Sequence, residues 1–109
     1  MQTSYFAISS ELPNAVSIAL KAPDFYKGLE FLPLAPTWEI ISYYKKKNDI
    51  HLYTERYVEE ILFPLDPEQV YQDLKYSVLL CWESPSKFCH RRLVAKWLEE
   101  SLNVKIPEL

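Results

Sequence analysis

Tyr76 to Leu102, YSVLLCWESPSKFCHRRLVAKWLEESL, reads as a buried strand, a short turn and an amphipathic helix. Ser77 to Trp82 is an almost uninterrupted apolar run, as a strand covered on both faces of a parallel sheet requires. Pro85 stops it, and Ser84 or Ser86 can cap the helix that follows. Leu93, Val94, Trp97, Leu98 and Leu102 then recur at helical spacing and form one apolar stripe. With Ser86 as the cap, Cys89 falls in the first helical turn. Unpaired backbone N–H groups and the positive end of the helix dipole favour an anion there. That anion is a bound phosphate or carboxylate, or the thiolate of Cys89 itself.

Working outward, Ser4 to Ile8 predicts a first strand and Ala15 to Leu20 a second, with Ser17 the only polar residue in the second. A hydroxyl inside an apolar strand ordinarily bonds to backbone, with a ligand contact as the alternative. Ala22 to Pro36 holds three prolines and the single glycine, Gly28, yet is rich in aromatic and aliphatic residues. So apolar a loop must pack as an ordered cover over the sheet, where it could form one wall of a pocket. Thr37 predicts the cap of a helix through Lys47, and a second helix follows from Leu52 to Leu62. Asp66-Pro67-Glu68-Gln69 gives a third, with Asp as cap, Pro at the first position and Gln placed for a capping box. Asn103 to Pro107 predicts a short final strand at a sheet edge, where a proline is tolerated.

The order β-β-ααα-β-α-β predicts a single three-layer α/β domain over residues 1–109. Its sheet is short and mainly parallel, with helices on both faces. The length suits one core. No apolar run approaches the roughly 18 residues of a membrane span, and the polar opening Gln2-Thr3 does not read as a signal peptide. Two cysteines give no disulfide framework, so the expectation is a cytoplasmic protein with reduced thiols. A net charge of −3 argues against a nucleic-acid partner. Charge is nevertheless uneven: Lys87, His90, Arg91, Arg92 and Lys96 lie together with no acid among them. Lys45-Lys46-Lys47, the other basic cluster, reads as a solvated helix end complementing the dipole.

Leu80-Cys81-Trp82-Glu83, followed by Cys89-His90-Arg91-Arg92-Leu93-Val94-Ala95, resembles the signature of a widespread prokaryotic family, domain of unknown function 488. That signature is a strand ending in Leu-Leu-Cys, a glutamate two residues later, and Cys-His-Arg opening a helix. The resemblance extends to Thr3 to Ala7, to Ser17-Ile18-Ala19, and to Leu34 to Glu39, and these pieces are similar to the short branch of the family. It implies an α/β fold and a candidate site of Cys81, Glu83, Cys89, His90 and Arg91. It implies no established reaction.

Four roles compete for that corner. A pocket for a small anionic ligand, such as a nucleotide, would use Cys81, Glu83, Cys89, His90, Arg91, Arg92 and Ser17. The two guanidinium groups would supply bidentate contacts there, and Arg91→Ala should abolish binding with little loss of folding. A thiol enzyme would use Cys89 as nucleophile with Glu83 or His90 as base. Against it, neighbours on a helix point about 100° apart, and neither the phosphatase nor the sulfurtransferase loop is present, since Lys87 and Ser86 stand at their arginine positions. A metal centre on Cys81, Cys89 and His90 suffers from poor zinc spacing, so no metal or cofactor is expected. Finally, Cys81 could be plain core, His90 a backbone cap and Arg91 a partner for Glu83. The protein would then be an interaction module using the aromatics of Ala22 to Pro36.

Overall fold

The computed structural model describes residues 1–109 and has four parallel strands in the order β1-β4-β2-β3. The strands are β1 (Gln2–Tyr5), β2 (Ala15–Ser17), β3 (Leu29–Glu30) and β4 (Val78–Cys81). β4 lies at the centre, pairing Gln2 to Tyr5 on one side and Ala15 to Ser17 on the other, and all four of its residues are buried. That position explains the unbroken apolar run: a central parallel strand meets apolar packing on both faces.

Side chains alternate across β4. Leu79 joins the larger core with Val16 and Ile18, built against α2 (Trp38–Lys47), α3 (Ile50–Tyr57), α4 (Pro67–Leu74) and α5 (His90–Leu102). Val78 and Leu80 point into a smaller cluster with Phe6, Ala15, Ala19 and Tyr26. The second face is covered only by the one-turn helix α1 (Phe6–Ser9) and the Tyr26 loop. The single α/β domain is as expected, but its two helical layers are very unequal. No helix is long and apolar enough to cross a membrane.

Several boundaries differ from the sequence reading. The first strand stops at Tyr5 because its register ends there: Tyr5 lies opposite Cys81, the last residue of β4. Phe6 then turns over the sheet as α1, and Ser9 Oγ meets Ser4 Oγ at 2.6 Å. β2 ends at Ser17, whose Oγ accepts the Ala19 N–H at 3.2 Å. β3 arises inside the proline-rich loop, where Tyr26 Oη donates to the Ala15 and Leu29 carbonyls at 3.2 and 2.6 Å and holds β3 against β2.

α2 starts as expected, Thr37 Oγ1 accepting from Ile40 N, and ends at Asn48 in the left-handed conformation. Asp49 caps α3, so that helix begins ahead of Leu52; its last turn widens into a π segment at Val58–Leu62. Asp66 caps α4, but Gln69 bonds Asp73 and forms no capping box.

Asn103 to Pro107 is not a strand. Asn103, again left-handed, ends α5, and the Ile106 N–H is taken by Glu99 Oε2 at 2.8 Å. The tail reaches the free edge of β1 only at a single parallel bridge between Thr3 and Glu108.

Candidate functional site

β4 delivers Cys81 to the carboxyl end of the sheet, and Ser84 to Lys87 close a turn through the Lys87 N–H to the Ser84 carbonyl at 3.0 Å. The serine hydroxyls contact each other at 3.1 Å instead of capping the helix. α5 therefore starts at His90, later than a Ser86 cap would give, with Cys89 in the cap position and extended at φ −151° and ψ 148°.

The extended backbone has a chemical consequence. Two consecutive helical side chains diverge, but a residue just before the helix is free of that geometry, and Cys89 Sγ lies 3.9 Å from His90 Nδ1. His90 itself is buried, with Nε2 2.7 Å from the Ile18 carbonyl. A carbonyl can only accept, so Nε2 carries the proton and Nδ1 presents its lone pair toward Cys89. Burial pushes the imidazole pKa down to about 4; the Ile18 carbonyl opposes this and the Arg91 charge adds to it. The ring is neutral near pH 7.

The cysteines are not free. Cys81 and Cys89 form a disulfide, which corrects the expectation of two reduced thiols. The chain brings the end of β4 and the start of α5 to one corner, with their Cα atoms 6.9 Å apart.

The two arginines are committed elsewhere. Arg91 is buried: Nε and Nη2 donate to the Glu108 carboxylate, and Nη1 donates to the Glu83 carbonyl at 2.7 Å and to Cys81 Sγ at 3.2 Å. Its carboxylate partner is thus Glu108, not Glu83, and the guanidinium lies 5.7 Å over the Tyr5 ring. Burial alone would raise the Glu108 pKa, but hydrogen bonds from Arg91 and Thr3 and the charges of Arg91 and Arg92 outweigh it and hold it below its ordinary value. Arg92 Nη1 donates to Thr3 Oγ1 and to the Ile106 carbonyl at 2.8 and 2.9 Å. Both guanidinium groups pin the tail to β1.

The opening at this corner is a cavity of about 680 Å³ beyond the ends of β2 and β4. Cys81, Glu83, Cys89 and His90 line it, whereas Arg91, Arg92 and Ser17 do not. Its walls are aromatic: Trp38 and Tyr44 from α2, Tyr53 from α3, and Trp82 and Phe88 beside the cysteines. Tyr53 and Phe88 meet edge to face at 5.0 Å, and Tyr44 packs on both at 5.3 and 5.7 Å. Trp82 is fixed by its Nε1–H donating to the Lys21 carbonyl at 2.8 Å. Lys21 and Lys45 are the cations of the lining.

Sequence reasoning expected aromatic walls for such a pocket but did not identify these residues as their members. The spacing of Trp38, Ile41 and Tyr44 identified a packing face, and the same stripe runs on past the core into the cavity. Lys45 was legible only as part of a helix end. The Ala22 to Pro36 loop contributes just Pro36 to the lining.

A family model described as the active DUF488-N3 subclade, DUF488-N3a, matches residues 28–102. No curated protein and no solved structure matches the chain.

Proposed function

The chain belongs to the DUF488 family, within its DUF488-N3 subclade, and we propose that its cavity binds a small anionic ligand with a flat body, of the nucleotide class. The observation that carries this reading is the aromatic-walled cavity, with Lys21 and Lys45 in its lining. Its volume lies within the roughly 300–1,000 Å³ of small-molecule sites. Ligands of open α/β sheets sit beyond the carboxyl ends of the strands, where this cavity opens. Rings stack on a base, and an ammonium group neutralises a phosphate. Arg91 and Arg92, both held by the protein's own oxygens, have no part in the contact.

A thermal-shift screen against nucleotides and simple phosphates tests the reading, with Trp38→Ala and Lys45→Glu alongside. Both positions are exposed enough to change without loss of the fold. A ligand at a hundredfold excess over its Kd adds about 2.7 kcal/mol, roughly 10 °C or more for a domain of this size. The shift should fall in both variants. No shift with any compound would reject it.

A second reading is a thiol-dependent reaction on that ligand. It is supported by the place of Cys89, whose sulfur opens on the cavity from the cap position of α5, where the helix N–H groups favour a thiolate. In the reduced protein Cys89 should alkylate faster than an ordinary thiol, and His90→Gln should keep that rate, since the buried ring takes up no proton near neutral pH. An ordinary rate in both proteins would dismiss the enzyme.

A further inference from the structure

We propose that the reduced protein holds one thiophilic divalent cation of the zinc class on Cys81 Sγ, Cys89 Sγ and His90 Nδ1. The fourth coordination position opens into the cavity. This stands apart from the ligand proposed above and does not depend on it.

The three donor atoms lie within 4.8 Å of one another. Sequence spacing argues against such a set, because seven residues separate the cysteines and the histidine follows the second directly. The fold removes both objections. The Ser84–Lys87 turn folds the intervening chain back on itself, and the extended Cys89 lets its sulfur and His90 Nδ1 face the same point. Two thiolates on one tetrahedral ion sit about 3.7 Å apart, from Zn–S bonds of about 2.3 Å. The Cα separation of 6.9 Å leaves room for that geometry.

The surroundings match a metal site in two further ways. The Nε2–H of His90 donates to the Ile18 carbonyl, which fixes the ring and leaves Nδ1 as the basic nitrogen, the usual outer support of a ligating histidine. Arg91 Nη1 donates to Cys81 Sγ at 3.2 Å and favours the thiolate. All three ligand residues line the cavity, so the set is of the open kind, three protein ligands and one exchangeable position.

The disulfide and the metal exclude each other. A phosphine with one water, or a dithiol, supplies two electrons and two protons, and the S–S bond breaks to two thiols; the phosphine leaves as its oxide, with the oxygen of that water, or the dithiol as its disulfide. Cation binding then displaces those two protons to buffer while the two S–metal bonds form. A two-electron thiol oxidant of the diazene class would take that electron pair with two protons from buffer and leave as the hydrazine, while the S–S bond re-forms and the ion is released.

The test uses the full chain, reduced with a phosphine and stripped of metal, then titrated with zinc and with cobalt(II). We expect one ion per chain, two protons released, and the thiolate-to-cobalt charge-transfer band with the visible bands of a tetrahedral site. The oxidised protein should take up none. Cys89→Ser, at a half-buried position, should lose the band and weaken binding at least about a hundredfold, more than loss of an outer-shell partner does. Should that variant unfold, protection of both wild-type thiols from alkylation by zinc reads the same site. No uptake by the reduced chain, unchanged affinity in Cys89→Ser, or equal alkylation with and without zinc would overturn the proposal.

Discussion

Arg91 and Glu108 form a two-pronged ion pair, Nη2 lying 2.8 Å from Oε2, with the Arg91 side chain only 1% exposed and Glu108 22%. The pair joins the first turn of α5 to the tail, and Thr3 of β1 bonds the same carboxylate. A residue that reads from its neighbours as an anion receptor is therefore a buried clasp.

Arg91→Ala should accordingly act on stability. Removing one partner of a buried pair costs about 3–5 kcal/mol, and the partial exposure of Glu108 places this case at the lower end. The Glu83 carbonyl loses its donor as well. At roughly 4–8 °C per kcal/mol the variant should melt more than about 10 °C below the wild type. A melting temperature within a few degrees of wild type would show that the clasp contributes little.

His90 makes stability depend on pH. Its pKa is about 4 in the folded chain, against an ordinary 6.5. Above the ordinary value both states hold the ring neutral and its contribution is complete. As pH falls from there toward about 4, the unfolded chain takes up a proton that the folded chain refuses, so stability is lost. The full difference is about 3 kcal/mol. Glu108, whose folded pKa is also lowered, adds a loss of the same sign at lower pH. Urea midpoints should drop between neutral pH and about pH 5, and His90→Gln should flatten that slope.

Gly28 needs no left-handed backbone, but its neighbour leaves it no space. A Cβ there would collide with Tyr26 Oη, the atom that bridges β2 and β3. Tyr26 is buried and must move, giving up its bonds to the Ala15 and Leu29 carbonyls. Gly28→Ala should cost about 1–3 kcal/mol, with amide exchange accelerated first in Leu29 and Glu30. Tyr26→Phe should reproduce the exchange pattern without the clash.

Reduction of Cys81–Cys89 should also lower stability. For cysteines eight residues apart, the loop-entropy account gives about 2–3 kcal/mol. Melting with and without a phosphine measures it, and mass spectrometry after alkylation should show two labels only in the reduced sample. Zinc added to the reduced protein should restore the lost stability, since an ion that binds only the folded state raises it by mass action.

Most of the frame was legible residue by residue. The unbroken run Val78–Cys81 announced a central parallel strand, the stripe on α5 its inner face, and Thr37 and Asp66 the starts of two helices. These are local signals, set by backbone chemistry and by the periodicity of burial. The corner carrying Cys81, Cys89 and His90 was legible too, because a strand end and a helix start lie close in sequence. Family membership, first visible in the spacing from Leu80 to Arg91, rests on the match over residues 28–102.

What each side chain does at that corner was decided only in three dimensions. Arg91 and Arg92 have the charge of anion receptors, but the tail brings the Glu108 carboxylate and the Ile106 carbonyl to them, contacts no local pattern announces. Ser17 turned inward to the Ala19 N–H. The aromatic wall and Lys45 come from helices far along the chain, which meet the sheet end only when the core closes. Sequence alone determined the elements and the class of fold, since those depend on neighbours a few residues away. Tertiary structure decided the partners, because a charge or a lone pair is committed by whatever the folded chain sets within about 3 Å of it.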